Sequence, residues 1–358
     1  MFGRIDLRAY RGFESYRLDG LRRVNLLVGK NNSGKTSVLE ALRLLATNGN
    51  PRILDEIAES RTGRSNWARG RGNAVVDIAP FFFGRHIVLN AKSSVETDDG
   101  NLYMEVVSLT DEEQERYSEI GSERWEDDKF DFLEFGLRIS TDEGLKNTPS
   151  FPVSESGMMA WPSFFGRRNP ISTKVNSRLV SSKSIDARDM RPMWDSMLRL
   201  NREDRIVRTL QVLQPDIFEV HFLSGPPPEV LLTLSGSKQR VPLHSFGDGT
   251  RRFLALSLLL ANLDDGMLLV DEIDTGLHWT VMEDLWRLVI CAARDGNVQV
   301  FATTHSYDCV KGLASLLERE PELAEEVSLQ KLERRLDEAV ALDGKQLASA
   351  IDLDIEVR

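Results

Sequence analysis

The sequence predicts an α/β fold built around an open, mainly parallel sheet. Three short apolar segments end at Val28, Val270 and Ala302, and each leads directly into a polar motif. Near-continuous apolar runs are typical of strands that are buried on both faces of a parallel sheet. Ligands of open α/β sheets bind beyond the carboxyl ends of such strands. We therefore expect all three strands in one sheet, with their motifs gathered at one site.

The first motif occupies residues 29–36 and matches the phosphate-binding pattern GxxxxGK[ST]. The apolar segment 24–28 before it predicts a buried strand, and the apolar spacing of residues 37–45 after it predicts a helix. A strand before the motif and a helix after it favour a phosphate-binding loop over a glycine-rich turn that contains a lysine by chance. The backbone N–H groups of such a loop wrap phosphates, and the N-terminus of the following helix favours negative charge.

Within this loop we expect Lys35 to reach the β- and γ-phosphates as a catalytic cation, and the Thr36 hydroxyl to hold Mg²⁺. The predicted cofactors are therefore ATP and Mg²⁺. The residues of this loop that we expect to bind the nucleotide are Gly29, Asn31, Asn32, Ser33, Gly34, Lys35, Thr36 and Ser37.

The second motif places two carboxylates directly after the apolar segment 268–270. At the carboxyl end of a parallel strand, such side chains face the ligand crevice. We expect Asp271 to bind Mg²⁺, directly or through water, and Glu272 to orient or deprotonate the attacking water. The alternative is an ordinary strand end with solvated acids, which is less favoured once the chain also contains a phosphate-binding loop.

The third motif follows the apolar segment 298–302 and contains His305. A single histidine is more often a surface or satisfied core residue than a functional one. Here it follows a strand that comes soon after the acidic strand, where a sensor of the γ-phosphate could sit. We therefore predict three catalytic residues, namely Glu272, His305 and Lys35.

Two further segments complete a family resemblance. Residues 7–13 followed by residues 24–36 resemble the N-terminus of ABC-type ATPases of the RecF, OLD and SMC kind, which include the AAA15 and AAA21 families. Residues 245–249 resemble the signature loop of the same group. The resemblance implies the P-loop NTPase fold of an ABC-ATPase head, with ATP hydrolysed in the presence of Mg²⁺.

In that group, the signature loop caps the γ-phosphate that is bound by the opposite subunit. The resemblance therefore implies that Ser245, Gly247 and Gly249 contact the nucleotide of a second chain, and that the protein forms a homodimer or higher oligomer through its ATP sites. A serine hydroxyl and the N–H groups that open a helix over residues 250–261 would suit an anion. Two features depart from the group: His278 replaces the D-loop aspartate of transporter-type members, and no glutamine is identified for the Q-loop.

The resemblance divides the chain into a split ATPase head, residues 1–50 and 236–358, and an inserted lobe, residues 51–235. The lobe combines strand-like segments, an acidic stretch and a helical stretch over about residues 188–213. Proline and glycine occur throughout it without sustained heptads, so we expect no coiled-coil arm of the SMC type. The segment after His305 is too short for the Toprim nuclease of OLD enzymes.

The composition is typical of a soluble protein, with 41% hydrophobic and 28% charged residues and a net charge of −11. No apolar run is long enough to span a bilayer, and no signal-peptide region is present. We therefore expect a cytoplasmic protein without membrane contact. Two basic segments, residues 61–71 and 166–184, could hold nucleic-acid phosphates, whereas the negative net charge favours solvated loops.

Three functional hypotheses share this ATPase chemistry. The first is a switch in which ATP closes a dimer that recruits or releases a separate effector, such as a nuclease or toxin, in bacterial anti-phage defence. The second is a RecF-like DNA-repair ATPase that binds DNA. The third is the nucleotide-binding subunit of a transporter, which the long insert and the missing Q-loop disfavour. We rank the defence switch first.

Overall fold

A computed structural model describes most of the chain, namely residues 1–62, 73–124, 134–142, 150–162, 176–180, 187–226, 228–237 and 239–352. Of the acidic stretch, which spans residues 111–134, residues 125–133 lie outside the described residues. So do residues 63–71 of the first predicted basic segment, and the second basic segment except residues 176–180.

The strands of the described residues, in chain order, are Ile5–Tyr10 (β1), Phe13–Leu18 (β2), Val24–Val28 (β3), Asn73–Asp77 (β4), Lys92–Thr97 (β5), Gly100–Ser108 (β6), Phe135–Thr141 (β7), Phe151–Val153 (β8), Met158–Pro162 (β9), Asn176–Val180 (β10), Ile217–Leu223 (β11), Glu229–Leu234 (β12), Arg240–Pro242 (β13), Gly266–Val270 (β14), Gln299–Thr303 (β15), Val327–Lys331 (β16) and Val340–Asp343 (β17). The α-helices are Lys35–Ala46 (α1), Pro51–Thr62 (α2), Asp111–Arg124 (α3), Ala187–Arg199 (α4), Glu203–Gln211 (α5), Asp248–Ala261 (α6), Met282–Asp295 (α7), Tyr307–Arg319 (α8) and Gly344–Asp352 (α9).

The central sheet has the strand order β10-β14-β15-β3-β16-β17, and every pair is parallel except β16 with β17. The three strands that lead into the polar motifs are therefore neighbours in one sheet. Val270 of β14 pairs with Ala302 of β15, and Ala302 pairs with Leu26 of β3. This register brings the carboxyl ends of all three strands to the same edge, and it confirms the prediction of an α/β fold with a mainly parallel sheet.

The two faces of the central sheet pack against different partners. Because successive side chains of a strand point to opposite faces, Leu27 and Phe301 lie on one face, and Leu26 and Val300 lie on the other. The first face packs against α1 and a second, antiparallel sheet of order β2-β1-β5-β6-β7-β8-β9-β4. The second face packs against α6, α7 and α8. The helix that follows the P-loop is thus held between two sheets.

The segment 51–235 is joined by strand pairing to both sheets. Its strand β5 pairs with β1, and its strand β10 pairs with β14 at the edge of the central sheet. The helical stretch expected over residues 188–213 forms two helices, α4 and α5. Between them lies Asn201, whose left-handed φ of 50° interrupts the helical backbone. The division of the chain into a head and an inserted lobe stays a prediction.

The described helices include none with the length and apolar character that crossing a membrane requires.

A buried asparagine ties the middle strand of the central sheet to both of its neighbours. Asn25 on β3 is fully buried, and its side-chain amide donates to the carbonyl oxygens of Arg22, at 2.7 Å, and of Val300, at 3.1 Å. Its oxygen accepts from the backbone N–H of Arg22 and from the Ser328 hydroxyl on β16, at 2.9 Å. The interactions with Val300 and Ser328 are buried, so we expect Asn25 to fix the alignment of β3 with β15 and β16.

We predict that Asn25→Leu lowers the free energy of unfolding by about 2–4 kcal/mol, because it leaves several buried polar groups without partners. Urea unfolding followed by circular dichroism would measure this change. Ser328→Ala, which removes a single partner, should cost only about 1 kcal/mol. Equal stability of Asn25→Leu and the wild type would contradict this role.

Candidate nucleotide-binding site

The loop between β3 and α1 has the backbone shape of a phosphate cradle. Gly29, Asn32 and Gly34 have positive φ values of 140°, 63° and 107°. A Cβ on Gly34 would lie 2.2 Å from the ring of Phe13, and one on Gly29 would lie 2.5 Å from the carbonyl oxygen of Leu332. Glycine is therefore required at both positions, by backbone conformation and by close packing.

Lys35 is buried at the first position of α1, and its ammonium group points back into this loop. Its Nζ donates to the carbonyl oxygens of Gly29, at 2.7 Å, and of Lys30, at 3.1 Å, and lies 3.5 Å from Nδ1 of His305. Burial lowers the pKa of Lys35 to about 8, against the opposing effect of the Asp271 and Glu272 carboxylates. The structure therefore brings these four side chains, which lie far apart in the sequence, to one place.

The hydroxyl of Ser33 is buried and has no hydrogen-bond partner among the described residues. A buried polar atom without a partner calls for a ligand or water, and a phosphate oxygen would accept from this hydroxyl. The same loop contains Lys35 as a nearby cation. The residues present therefore fit a bound nucleotide phosphate.

The turn after β14 is bound to the end of β15 through two successive threonines, Thr303 and Thr304. The Thr303 hydroxyl donates to Oδ1 of Asp271, at 2.7 Å, and accepts from the backbone N–H of Glu272, at 2.8 Å. Glu272 has a φ of 51°, which is sparsely populated for a residue with a side chain. The next residue, Thr304, donates from its hydroxyl to Oδ1 of Asp274 in the same acidic turn, at 2.5 Å. The sequence motif that contains Thr303 was recognised, but its role in holding the acidic turn was not.

The predicted Mg²⁺ ligands are one hydroxyl, on Thr36 in the first turn of α1, and one carboxylate, on Asp271 at the end of β14. The described residues contain no group of three or more His, Cys, Asp or Glu side chains that could hold a metal by themselves. Mg²⁺ is typically bound by one or two carboxylates together with substrate phosphates and water. The donor set therefore fits a magnesium ion that arrives with the nucleotide.

The predicted signature loop lies at the start of α6 and is not hydrogen-bonded to the P-loop of the same chain within the described residues. Gly247 precedes the helix with a φ of 85°, which again favours glycine. A Cβ on Gly249 would lie 2.4 Å from the carbonyl oxygen of Gly276, so the loop packs closely against the turn that follows the acidic motif. The structure thus brings Lys35 together with the acidic turn but leaves Ser245 in a separate cluster.

A buried arginine that the sequence did not single out connects these clusters. Arg252 on α6 is 3% exposed and donates from Nη2 to the carbonyl oxygens of Asp271, at 2.8 Å, and Glu272, at 2.5 Å. Its Nε donates to the carbonyl oxygen of Ile273 at 3.3 Å. Burial lowers the pKa of Arg252, and the surrounding carboxylates oppose this effect. The only sequence signal is its place in the Arg251-Arg252 pair just after the glycines.

A second ionic cluster supports the helix that follows the P-loop. Glu40 on α1 is buried and accepts two hydrogen bonds from Arg61, both at 2.8 Å, and forms an ion pair with Arg11 at 2.9 Å. Arg61 was predicted to belong to a basic segment that could hold nucleic-acid phosphates. In the structure its guanidinium is bound to Glu40, so this arginine serves an internal contact.

The fold is that of a P-loop ATPase of the ABC type, and the family comparison agrees with it. Residues 24–308 match the family described as "AAA domain, putative AbiEii toxin, Type IV TA system". The match spans well over half of the chain, which therefore belongs to this family, AAA_21. This membership confirms the expected relation to ABC-type ATPases of the RecF, OLD and SMC group.

Similar proteins agree with this assignment. A Helicobacter pylori protein named "ATP/GTP phosphatase" is 22% identical over 351 residues, which cover 92% of this chain and 91% of that protein. The DNA replication and repair protein RecF of a Marinomonas species is 51% identical over 43 residues, or 12% of each chain. A solved SMC head, in complex with the C-winged helix domain of ScpA, aligns with 96% of this chain and 98% of its own chain. The sequence identity is 12% and the TM-score is 0.50. The last likeness shows the fold alone.

We predict that ATP affinity in metal-free buffer depends on pH through Lys35. Phosphates favour its charged form, so binding raises a pKa that is about 8 in the free protein. Affinity should be constant up to about pH 8 and then fall by up to about tenfold per pH unit. Calorimetry at pH 9 in buffers of different ionisation enthalpy should show proton uptake on binding.

Lys35→Arg provides the control for this pH dependence, because a guanidinium stays charged throughout this range. Any affinity that this variant retains should change little between pH 7.5 and 9.5. A wild-type affinity that is equally flat, without proton uptake, would contradict the assignment of Lys35 as the titrating phosphate ligand.

Proposed function

We propose that this protein binds ATP at the P-loop and hydrolyses the bond to its γ-phosphate. The observation that supports this most strongly is the convergence around Lys35. The ammonium lies 3.5 Å from His305 and in the field of two carboxylates, and the buried Ser33 hydroxyl in the same loop has no partner among the described residues. A lysine that neutralises the phosphates and a carboxylate that orients the attacking water are parts that phosphoryl transfer to water uses.

Each side chain takes one role in this proposal. Lys35 exchanges its bonds to the loop carbonyls for phosphate oxygens and neutralises their charge. Glu272 accepts a proton from the attacking water, and its position is fixed by the hydrogen bonds to its backbone. His305, beside the lysine, contacts the γ-phosphate. Mg²⁺, when bound by Thr36 and Asp271, would supply positive charge that stabilises the leaving phosphates.

The complete site is proposed to form between two copies of the chain. Ser245 and Gly247 stand at the N-terminus of α6, where N–H groups and a hydroxyl suit an anion, and they are not hydrogen-bonded to their own P-loop in the described residues. We therefore propose that they cap the γ-phosphate held by Lys35 of a second copy. Hydrolysis then requires closure of the dimer. Turnover is therefore slow, and its rate depends on how much of the protein is dimeric.

The biological role that we propose is an ATP-dependent dimerisation switch that acts on a separate effector in bacterial anti-phage defence. Support comes from the family description, which names a toxin and a toxin–antitoxin system. The effector would be a nuclease or toxin on another chain. Capture of partners from the native host with a Glu272→Gln protein, which we expect to stay closed on ATP, tests this role, with Lys35→Ala as the control that stays open.

A RecF-like role in DNA repair is the alternative proposal, and the RecF match over 43 residues supports it. That match covers 12% of either chain, whereas the ATP/GTP phosphatase match covers 92% of this one. The two roles differ in their partners. A closed Glu272→Gln dimer that binds duplex DNA without any protein partner would favour the alternative.

We predict that Glu272→Gln binds ATP with wild-type affinity but turns over at least ~10²-fold more slowly, which is the usual effect of losing a positioned base. The amide keeps the shape and hydrogen-bonding reach of the side chain but cannot accept the proton. Phosphate release under saturating ATP measures the rate. Turnover close to that of the wild type would transfer the role of base to another residue, with His305 the next candidate.

We predict that two inactive variants restore activity when mixed. Ser245→Arg blocks the signature loop of one chain, and Lys35→Ala disables the phosphate cradle of the other. A mixed dimer then has one intact site, made from the cradle of the first chain and the signature loop of the second. If the mixture co-assembles and yet remains as inactive as either variant alone, the shared site is refuted.

A further inference from the structure

The acidic turn at residues 271–275 has an unfavourable backbone conformation and is held by contacts from β15 and from α6. The left-handed φ of Glu272 is unfavourable for a residue with a side chain and persists only where neighbouring groups enforce it. Thr303 on β15 binds the backbone N–H of Glu272 with its hydroxyl and that of Ile273 with its carbonyl oxygen. Arg252 on α6 binds the carbonyl oxygens of Asp271, Glu272 and Ile273.

Thr303 and Arg252, which hold the turn, lie on different elements of the structure. Thr303 lies on a strand of the central sheet, so it connects the acidic turn to the rigid core. Arg252 lies just past the first turn of α6, whose N-terminus is the signature loop. A helix transmits the position of one turn to the next through its hydrogen-bond ladder, so a shift of Arg252 shifts Gly247 as well. Gly249, near the start of α6, also approaches the carbonyl of Gly276, the residue that follows the acidic turn.

In the proposed dimer these segments of one chain serve different nucleotides. Glu272 acts on the ATP that is bound by its own Lys35, whereas Ser245 and Gly247 act on the ATP of the second copy. We propose that Arg252 is a positioning residue that couples the two ATP sites, by making the acidic turn of one site and the signature loop of the other move as one unit. This inference rests on the proposed function, because it requires a site shared between copies.

The chemistry of arginine explains why this position is sensitive. A guanidinium presents several N–H donors in a fixed planar fork and stays charged when buried, so it can bind three successive carbonyl groups. A lysine has a point charge and a different reach, and it cannot reproduce the fork. Arg252→Lys should therefore keep the positive charge but loosen the link between α6 and the turn.

The first test compares Arg252→Lys with Arg287→Lys, which changes a half-exposed arginine on α7 that pairs with Asp284 and Glu320. Arg252→Lys should lower kcat by about 10–100-fold, the effect of a misplacement of roughly 1 Å in a catalytic group, and leave the KM for ATP within about threefold. Arg287→Lys should match the wild type. If Arg252→Lys also matches the wild type, the inference is wrong.

The second test separates coupling from local support, using the mixed dimer with one intact site. Arg252→Lys is placed either in the chain that supplies the cradle, which carries Ser245→Arg, or in the chain that supplies the signature loop, which carries Lys35→Ala. Coupling predicts a loss of rate in both placements. Thr303→Val, which loosens only the acidic turn, should cause a loss only in the chain that supplies the cradle.

The outcomes are distinguishable. A loss with Arg252→Lys in the cradle chain alone shows that Arg252 supports only its own turn, and it overturns the coupling. No loss in either placement overturns the inference altogether. If the parent mixture co-assembles but has no activity, the shared site itself fails, and the coupling fails with it. If Arg252→Lys does not fold, as judged by thermal unfolding, Arg252→Gln takes its place in the same comparison.

Discussion

The alignment of three parallel strands at one edge of the central sheet is the constraint on which the rest of the structure depends. The register that pairs Val270 with Ala302 and Ala302 with Leu26 brings the P-loop, the acidic turn and the segment that contains His305 to the same edge. Asn25 helps to maintain this register because it satisfies buried groups on both neighbouring strands. Thr303 contributes by binding the acidic turn that directly follows β14. A slip of one strand would move its motif away from the other two.

The electrostatics of the site follow from that alignment. Lys35 is buried, which disfavours its charge, and two carboxylates at the same edge partly compensate. In the structure its ammonium group donates to two loop carbonyls. Phosphate oxygens are stronger partners for a buried cation than neutral carbonyls are, so binding releases part of the cost of burying the lysine. We therefore expect the cradle to favour an anion of high charge.

The sequence alone was sufficient for the parts of the protein that local patterns determine. Apolar runs beside Gly, Lys, Asp and His motifs predicted the three strands and the P-loop helix, because each pattern and its function lie in one short segment. Strand β10, which adds to the central sheet from within the insert, and strand β16, which pairs with β3, were not predicted. Their partners lie far away along the chain, and no periodicity within them specifies that pairing.

Contacts between residues that are far apart in the sequence were also missed at the site. The predicted residues Lys35, Asp271, Glu272 and His305 are identified by motif, whereas Arg252 acts through main-chain carbonyls of residues it contacts only in the folded state. Every residue has a backbone carbonyl, so a side chain that binds such groups does not require any particular residue type at its partner positions, and no sequence pattern reveals the contact. Its importance becomes visible only once the positions of α6 and the acidic turn are known.

A crystal structure of Glu272→Gln with ATP and Mg²⁺ would test the central claim most directly. It should show the γ-phosphate between Lys35 and Ser33 of one copy and the loop at Ser245 and Gly247 of a second, with His305 of the first copy in contact. A γ-phosphate enclosed by one chain alone, or a nucleotide bound away from the P-loop, would contradict the account.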